Sequence, residues 1–280
     1  MDIRRYTLAA LCAAAVILCL NSCSTGPSAP QPGSPAFYWG AAGETWRAGD
    51  YLRTLDNLAH LTAGPSDFAT KARPWEIVTA SGIARGYGDL ADSAEAAMHK
   101  SPARANELRR QMTAWRGTAN STVLELADTF QKFAAENTGT SVPLAFAWPP
   151  AGNTAQPAKL DRFASGAPLP AADLEGLETM MIQRGVMLSA AKVTGSGDDA
   201  ARAQDLFKQP SPSVTTQTFM VNMAQVLYDL SAIYGPKKLD TPRRGEMLIT
   251  LATAALKPWP EDKSGMALLQ KIQKETKVKK

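Results

Sequence analysis

The sequence predicts an all-α fold, and three observations carry that prediction. Apolar residues recur at helical spacing from about residue 36 to the C-terminus. No run of alternating β-branched residues argues for a sheet. The composition is that of an ordinary globular protein, 45% hydrophobic and 20% charged over 280 residues, which is chain enough for one or two domains. The expected architecture is a set of antiparallel helical hairpins stacked as a right-handed superhelix or helical array, interrupted by one long irregular Pro-rich insertion.

Each element has its own signal. Phe37, Tyr38, Ala41, Ala42 and Thr45 share one helical face, which Gly49-Asp50 ends. Tyr51, Leu55, Leu58 and Leu61 form the stripe of a second helix. Ile77, Ser81, Ala84 and Tyr87 repeat the theme, and Gly88-Asp89 is expected to break it before Leu90, Ala94 and Ala97. Ser101-Pro102 reads as a helix start, with a capping hydroxyl and a proline in the first turn, where its missing N–H costs nothing. The helix after it is long, because Leu108, Met112, Trp115, Ala119, Leu126, Phe130 and Phe133 keep a heptad-like spacing; Gly117 is where it would kink. Later helices are expected at 173–193, 213–234, 241–256 and from 264 onward. Phe219, Met223, Val226, Leu230 and Ile233 give the clearest apolar stripe among them.

The first 22 residues read as an export signal. Arg4 and Arg5 precede an uncharged apolar run of thirteen residues, 8–20. A membrane-spanning helix needs about 20, whereas a secretory signal needs only a basic start and a short apolar core. The run closes on Leu20-Asn21-Ser22-Cys23, which resembles the lipobox of bacterial lipoproteins. The resemblance covers only the first two dozen residues and implies acylation of Cys23 with cleavage before it. Cys12 and Cys19 would leave with the signal, so Cys23 would be the sole mature thiol; an unpaired thiol in an oxidising compartment calls for modification. Ser24, where inner-membrane retention in this family favours Asp, points to the outer membrane facing the periplasm. Residues 23–35 are then a lipidated cysteine and a Pro/Ser/Gly tether, extended at roughly 3.1 Å per residue. A single helical domain comes next over 36–270, with a basic tail at 271–280.

Gly49-Asp50-Tyr51 and Gly88-Asp89-Leu90 stand 39 residues apart, each between an Ala-rich and an apolar stretch. The arrangement resembles the tetratricopeptide repeat, in degenerate form. Tyr38 and Ala42 match the large and small positions of that family's first helix, and Leu58 matches the aromatic of its second. Gly197-Asp198-Asp199 is a third echo. The resemblance implies recognition of a peptide or helix in a concave groove.

The insertion spans 138–172, with six Pro and three Gly. Connections this long inside a compact domain are uncommon. Val142, Leu144, Phe146 and Trp148 alternate strictly, and Pro143 restricts such a strip to an edge position. The strip reads either as a strap over the helix ends or as a docking strip, with Phe146 and Trp148 as candidate partner-binding anchors.

Charge and motifs exclude several classes of function. The formal net charge of +4 divides into +1 in residues 1–22, +4 in residues 271–280 and −1 across everything between. A near-neutral body is not a nucleic-acid-binding surface. His60 and His99, the chain's two histidines, lack metal-ligand spacing, and no phosphate-binding glycine loop or nucleophile elbow occurs. Ser189-Ala190-Ala191-Lys192 and Lys263-Ser264-Gly265 resemble two motifs of penicillin-recognising enzymes, but the intervening Ser-x-Asn is missing and the 71-residue gap is too short for that fold. No catalytic residue, metal or cofactor is expected. The sequence therefore points to a lipid-anchored envelope protein that scaffolds another envelope protein or peptide. The alternative is a small-molecule- or glycan-binding accessory lipoprotein, for example of a transport system.

Overall fold

A computed structural model describes residues 30–64, 66–150, 157–197 and 199–278. The leader and Cys23 lie outside these residues. The chain divides into a leading segment ending at Ser34 and a body from Pro35 onward.

The body is all-α. Its helices are α1 (Pro35–Ala48), α2 (Tyr51–Thr62), α3 (Ala69–Lys100), α4 (Ala105–Glu136), α5 (Pro157–Ala164), α6 (Ala171–Val193), α7 (Ala200–Phe207), α8 (Thr216–Ser231), α9 (Pro242–Leu256) and α10 (Lys263–Val278). Single 3₁₀ turns precede α4 (Pro102–Arg104) and follow α8 (Ala232–Tyr234). Among the described residues no helix is long and apolar enough to cross a membrane.

The Gly49-Asp50 turn forms as expected. Gly49 takes φ +72°, open to glycine at no steric cost. Asp50 caps α2 by accepting from the Arg53 N–H at 3.2 Å. Asp199 caps α7 in the same way, from Arg202 N–H at 3.0 Å, and Thr215 caps α8.

Three expectations need correction. Gly88-Asp89 does not break its helix, because α3 runs unbroken through both residues. An interior glycine costs a helix about 1 kcal/mol, and α3 recovers more than that by packing against α2, α4, α5, α6 and α8. The second hairpin of the repeat is therefore absent: α3 packs against five other helices, while α1 pairs with α2 and α9 with α8. Ser101 does not cap with its side chain; Pro102 opens a 3₁₀ turn instead, and α4 begins at Ala105. The stretch 157–164, expected to be irregular, forms helix α5.

Two glycines of α3 set the closest helix crossing. A Cβ on Gly82 would lie 2.3 Å from Val186 Cα, and one on Gly86 would lie 2.7 Å from the Met181 carbonyl oxygen. On α6, a Cβ at Gly185 would reach within 2.1 Å of the Gly82 carbonyl oxygen. Contacts of 82 with 186 and 86 with 182 make the two helices antiparallel.

The first part of the insertion, residues 138–150, lies as a strap. Strand β1 (Ser141–Pro143) pairs antiparallel with β2 (Ser213–Thr215), Val142 opposite Val214 and Pro143 opposite Ser213. Both strands of a two-stranded ribbon are edges, which is the position a proline tolerates. Val142, Leu144 and Phe146 point inward while the residues between them are exposed, so the alternation seen in the sequence is a half-buried extended strip.

Candidate functional site

The strap meets the helices in an aromatic cluster. Phe146 is 7% exposed, with its ring centroid 5.1 Å from Trp39, 5.3 Å from Trp46 and 5.2 Å from Trp75. Trp46 Nε1 donates to the Ala147 carbonyl at 2.9 Å, pinning the strap to α1. Trp148 is half-buried, with its ring 5.3 Å from Phe207 of α7. Of the two readings of the strip, this geometry is that of a strap over the helices. Phe146 is engaged by the chain's own tryptophans, so it is not an exposed anchor, and Trp148 lies against α7.

An opening in the surface lies elsewhere. A cleft of about 300 Å³ lies between α3, α4, α6 and the end of α8. Its floor is α3, where Ser81, Ala84, Gly88 and Ala91 present little or no side chain. A Cβ on Gly88 would meet nothing within 4 Å, in contrast to Gly82 and Gly86 on the same helix. Ser189 and Lys192 of α6 form one wall, Val226, Asp229 and Leu230 of α8 another. The 3₁₀ turn and the loop after it add Ile233 and Lys238, and Arg116 reaches in from α4.

Charges of both signs line this small space. Lys192 Nζ donates to Asp229 Oδ2 at 2.8 Å, and Lys238 Nζ donates to Asp92 Oδ2 at 2.7 Å. Arg116, 8% exposed, donates from one terminal nitrogen to Glu95 at 2.8 Å, while its buried Nε has no partner. Burial pushes the Asp89 carboxyl above the usual range, against the pull of Arg85, Arg184 and Lys238.

Sequence reasoning missed this site, because its residues come from four helices and a loop spread over 81–238. One local signal was present: Arg85, Asp89 and Asp92 recur at helical spacing inside a stretch of otherwise small and apolar residues. The Ser-x-x-Lys pair does reach the cleft. However, the Lys192 amine is bonded to Asp229, and Lys263 opens α10 rather than a strand, so neither half of the penicillin-enzyme pattern is assembled. His60 stacks on Tyr38 with centroids 4.3 Å apart, and His99 is exposed near the end of α3. Among the described residues no group of three or more His, Cys, Asp or Glu side chains is placed to hold a metal ion.

No protein-family model matches the chain, and no curated protein or solved structure is detectably similar to it.

Proposed function

We propose that this chain is an exported lipoprotein, anchored through Cys23 to the outer membrane, that binds a small polar molecule in the cleft between α3, α6 and α8. The carrying observation is the cleft itself: about 300 Å³, at the small end of ligand pockets, floored by residues that leave it empty and lined by charges. Arg116 lines the cleft and spends one terminal nitrogen on Glu95, which leaves further N–H donors of its guanidinium for a ligand. The reading assigns binding and not catalysis.

The interaction-scaffold alternative has less support. Among the described residues, the large apolar side chains left exposed are Phe37, Leu52, Met247 and Met266, on four different helices. A docking face gathers such residues into one patch.

Two experiments test the proposal. Cys23→Ala is expected to move the protein from the membrane to the soluble fraction; unchanged detergent dependence removes the anchor from the reading. A thermal-shift panel of neutral, anionic, cationic and zwitterionic small molecules is expected to stabilise the full-length protein. It should not stabilise Gly88→Leu, whose side chain fills the cleft. Stabilisation equal in both proteins, or in neither, overturns the cleft as the site.

A further inference from the structure

On the reading of the cleft as a small-molecule site, we propose that its ligand is a zwitterion with a short aliphatic body, an amino-acid-like molecule whose carboxylate meets Arg116 and whose ammonium meets Asp89. Arg85 has an interaction of its own, and the other charged lining residues separate into two sets. Lys192 with Asp229 and Lys238 with Asp92 answer one another, and Gln225 also donates to Asp229, at 2.7 Å. Arg116 and Asp89 retain unmet capacity.

The Arg116 guanidinium carries five N–H donors in a planar fork. One terminal nitrogen is bonded to Glu95, and the buried Nε has no partner. The Nε has no accessible surface and does not face the cleft; the donors left for a ligand carboxylate are the terminal N–H groups that Glu95 does not take. Asp89 is the complementary group. Among the described residues its carboxylate accepts no hydrogen bond, and burial holds its pKa up. An ammonium brings three donors and a full positive charge.

The whole lining favours the same ligand class. A purely anionic ligand would face Asp89, Asp92 and Asp229, and a purely cationic one would face Arg85, Arg116, Lys192 and Lys238. Only a molecule carrying both charges is matched at each end. Between them lie Ala84, Ala91, Val226, Leu230 and Ile233, an aliphatic surface that suits a branched or straight hydrocarbon body. The volume suits one amino acid better than an oligosaccharide.

The test uses three probes on the full-length protein by titration calorimetry: L-leucine, N-acetyl-L-leucine and L-leucine methyl ester. L-Leucine is expected to bind about tenfold or more tighter than either blocked form, since each block leaves one charged group of the cleft unanswered. Asp89→Asn should weaken L-leucine and leave N-acetyl-L-leucine unchanged. Arg116→Gln should weaken L-leucine and leave the methyl ester unchanged. Because Arg116 also holds Glu95, Arg116→Lys is the companion variant, keeping the charge and losing the fork. Equal binding of all three probes, or variants that do not discriminate the blocked forms, overturns the zwitterion. If L-leucine fails while another class in the thermal-shift panel binds and is lost in Gly88→Leu, the zwitterion falls and the cleft stands. If nothing binds, both fall.

Discussion

The aromatic cluster under the strap and the charged cleft beside α8 are built from the same central helix, yet they end in opposite conditions. Trp75 of α3 is closed over by Phe146, Trp46 and Phe207, so that end of the helix is sealed. Some four turns further on, Gly88 looks into open space, and the neighbouring Arg85, Asp89 and Asp92 border a cavity. The contrast teaches that an apolar strip conspicuous in a sequence is one the chain itself tends to cover, because burying it contributes roughly 25 cal/mol per Å². A polar cleft carries no such drive toward closure and stays open.

The sharpest way to break this comparison is Phe146→Ala. Emptying a ring position between three tryptophans is expected to cost about 3–5 kcal/mol, read by chemical denaturation, while ligand stabilisation at the cleft persists in whatever fraction remains folded. A loss of under 1 kcal/mol, by contrast, would mark the strap as a loosely held flap.

Next in size is the glycine pair on α3. Gly82→Ala drives a methyl into the Val186 backbone and should cost about 1–3 kcal/mol of overpacking. Gly88→Ala meets nothing and should stabilise by up to about 1 kcal/mol through helix propensity alone. Opposite signs for two glycines six residues apart would separate a packing glycine from a cleft glycine; equal signs would erase the distinction.

A pH series sharpens the comparison from the sealed side. Glu76 is 4% exposed and accepts from Thr62 at 2.6 Å and Thr129 at 2.9 Å. Burial outweighs these bonds and raises its pKa above the ordinary 4.5. The folded state therefore holds a proton that the unfolded chain has released. Its contribution to stability is greatest below the unfolded value and declines as pH rises from there through the folded value. Glu76→Gln should remove that decline, so the difference in unfolding free energy between variant and parent grows in the variant's favour from pH 4.5 upward. A difference that stays flat with pH would mean Glu76 is not carrying the buried charge.

Much of the fold was legible because local rules governed it. The heptad-like series from Leu108 to Phe133 became α4, the stripe from Phe219 to Ile233 became α8 with its 3₁₀ turn, and Gly49-Asp50 became a turn with a capped helix behind it. The same dipeptide at Gly88-Asp89 failed as a signal. A turn residue expresses its preference where the chain is exposed on leaving a helix, and α3 is enclosed on several sides. Helix α7 went unread because eight residues with one buried position, Ala203, carry too little periodicity to register.

By itself the sequence determined the helical class, most of the helix boundaries and the inward face of the 142–146 strip, since all of these follow from spacing and side-chain chemistry within a few neighbouring residues. It also supplied the leader and Cys23 as an expectation about export and anchoring. Only the tertiary structure decided that α3 is central, that Phe146 is sealed among tryptophans, and that Arg116 and Asp89 border one cleft. The physical reason is distance along the chain: charges on α3, α4, α6 and α8 become a site through packing, and no local pattern encodes which helix will lie beside which.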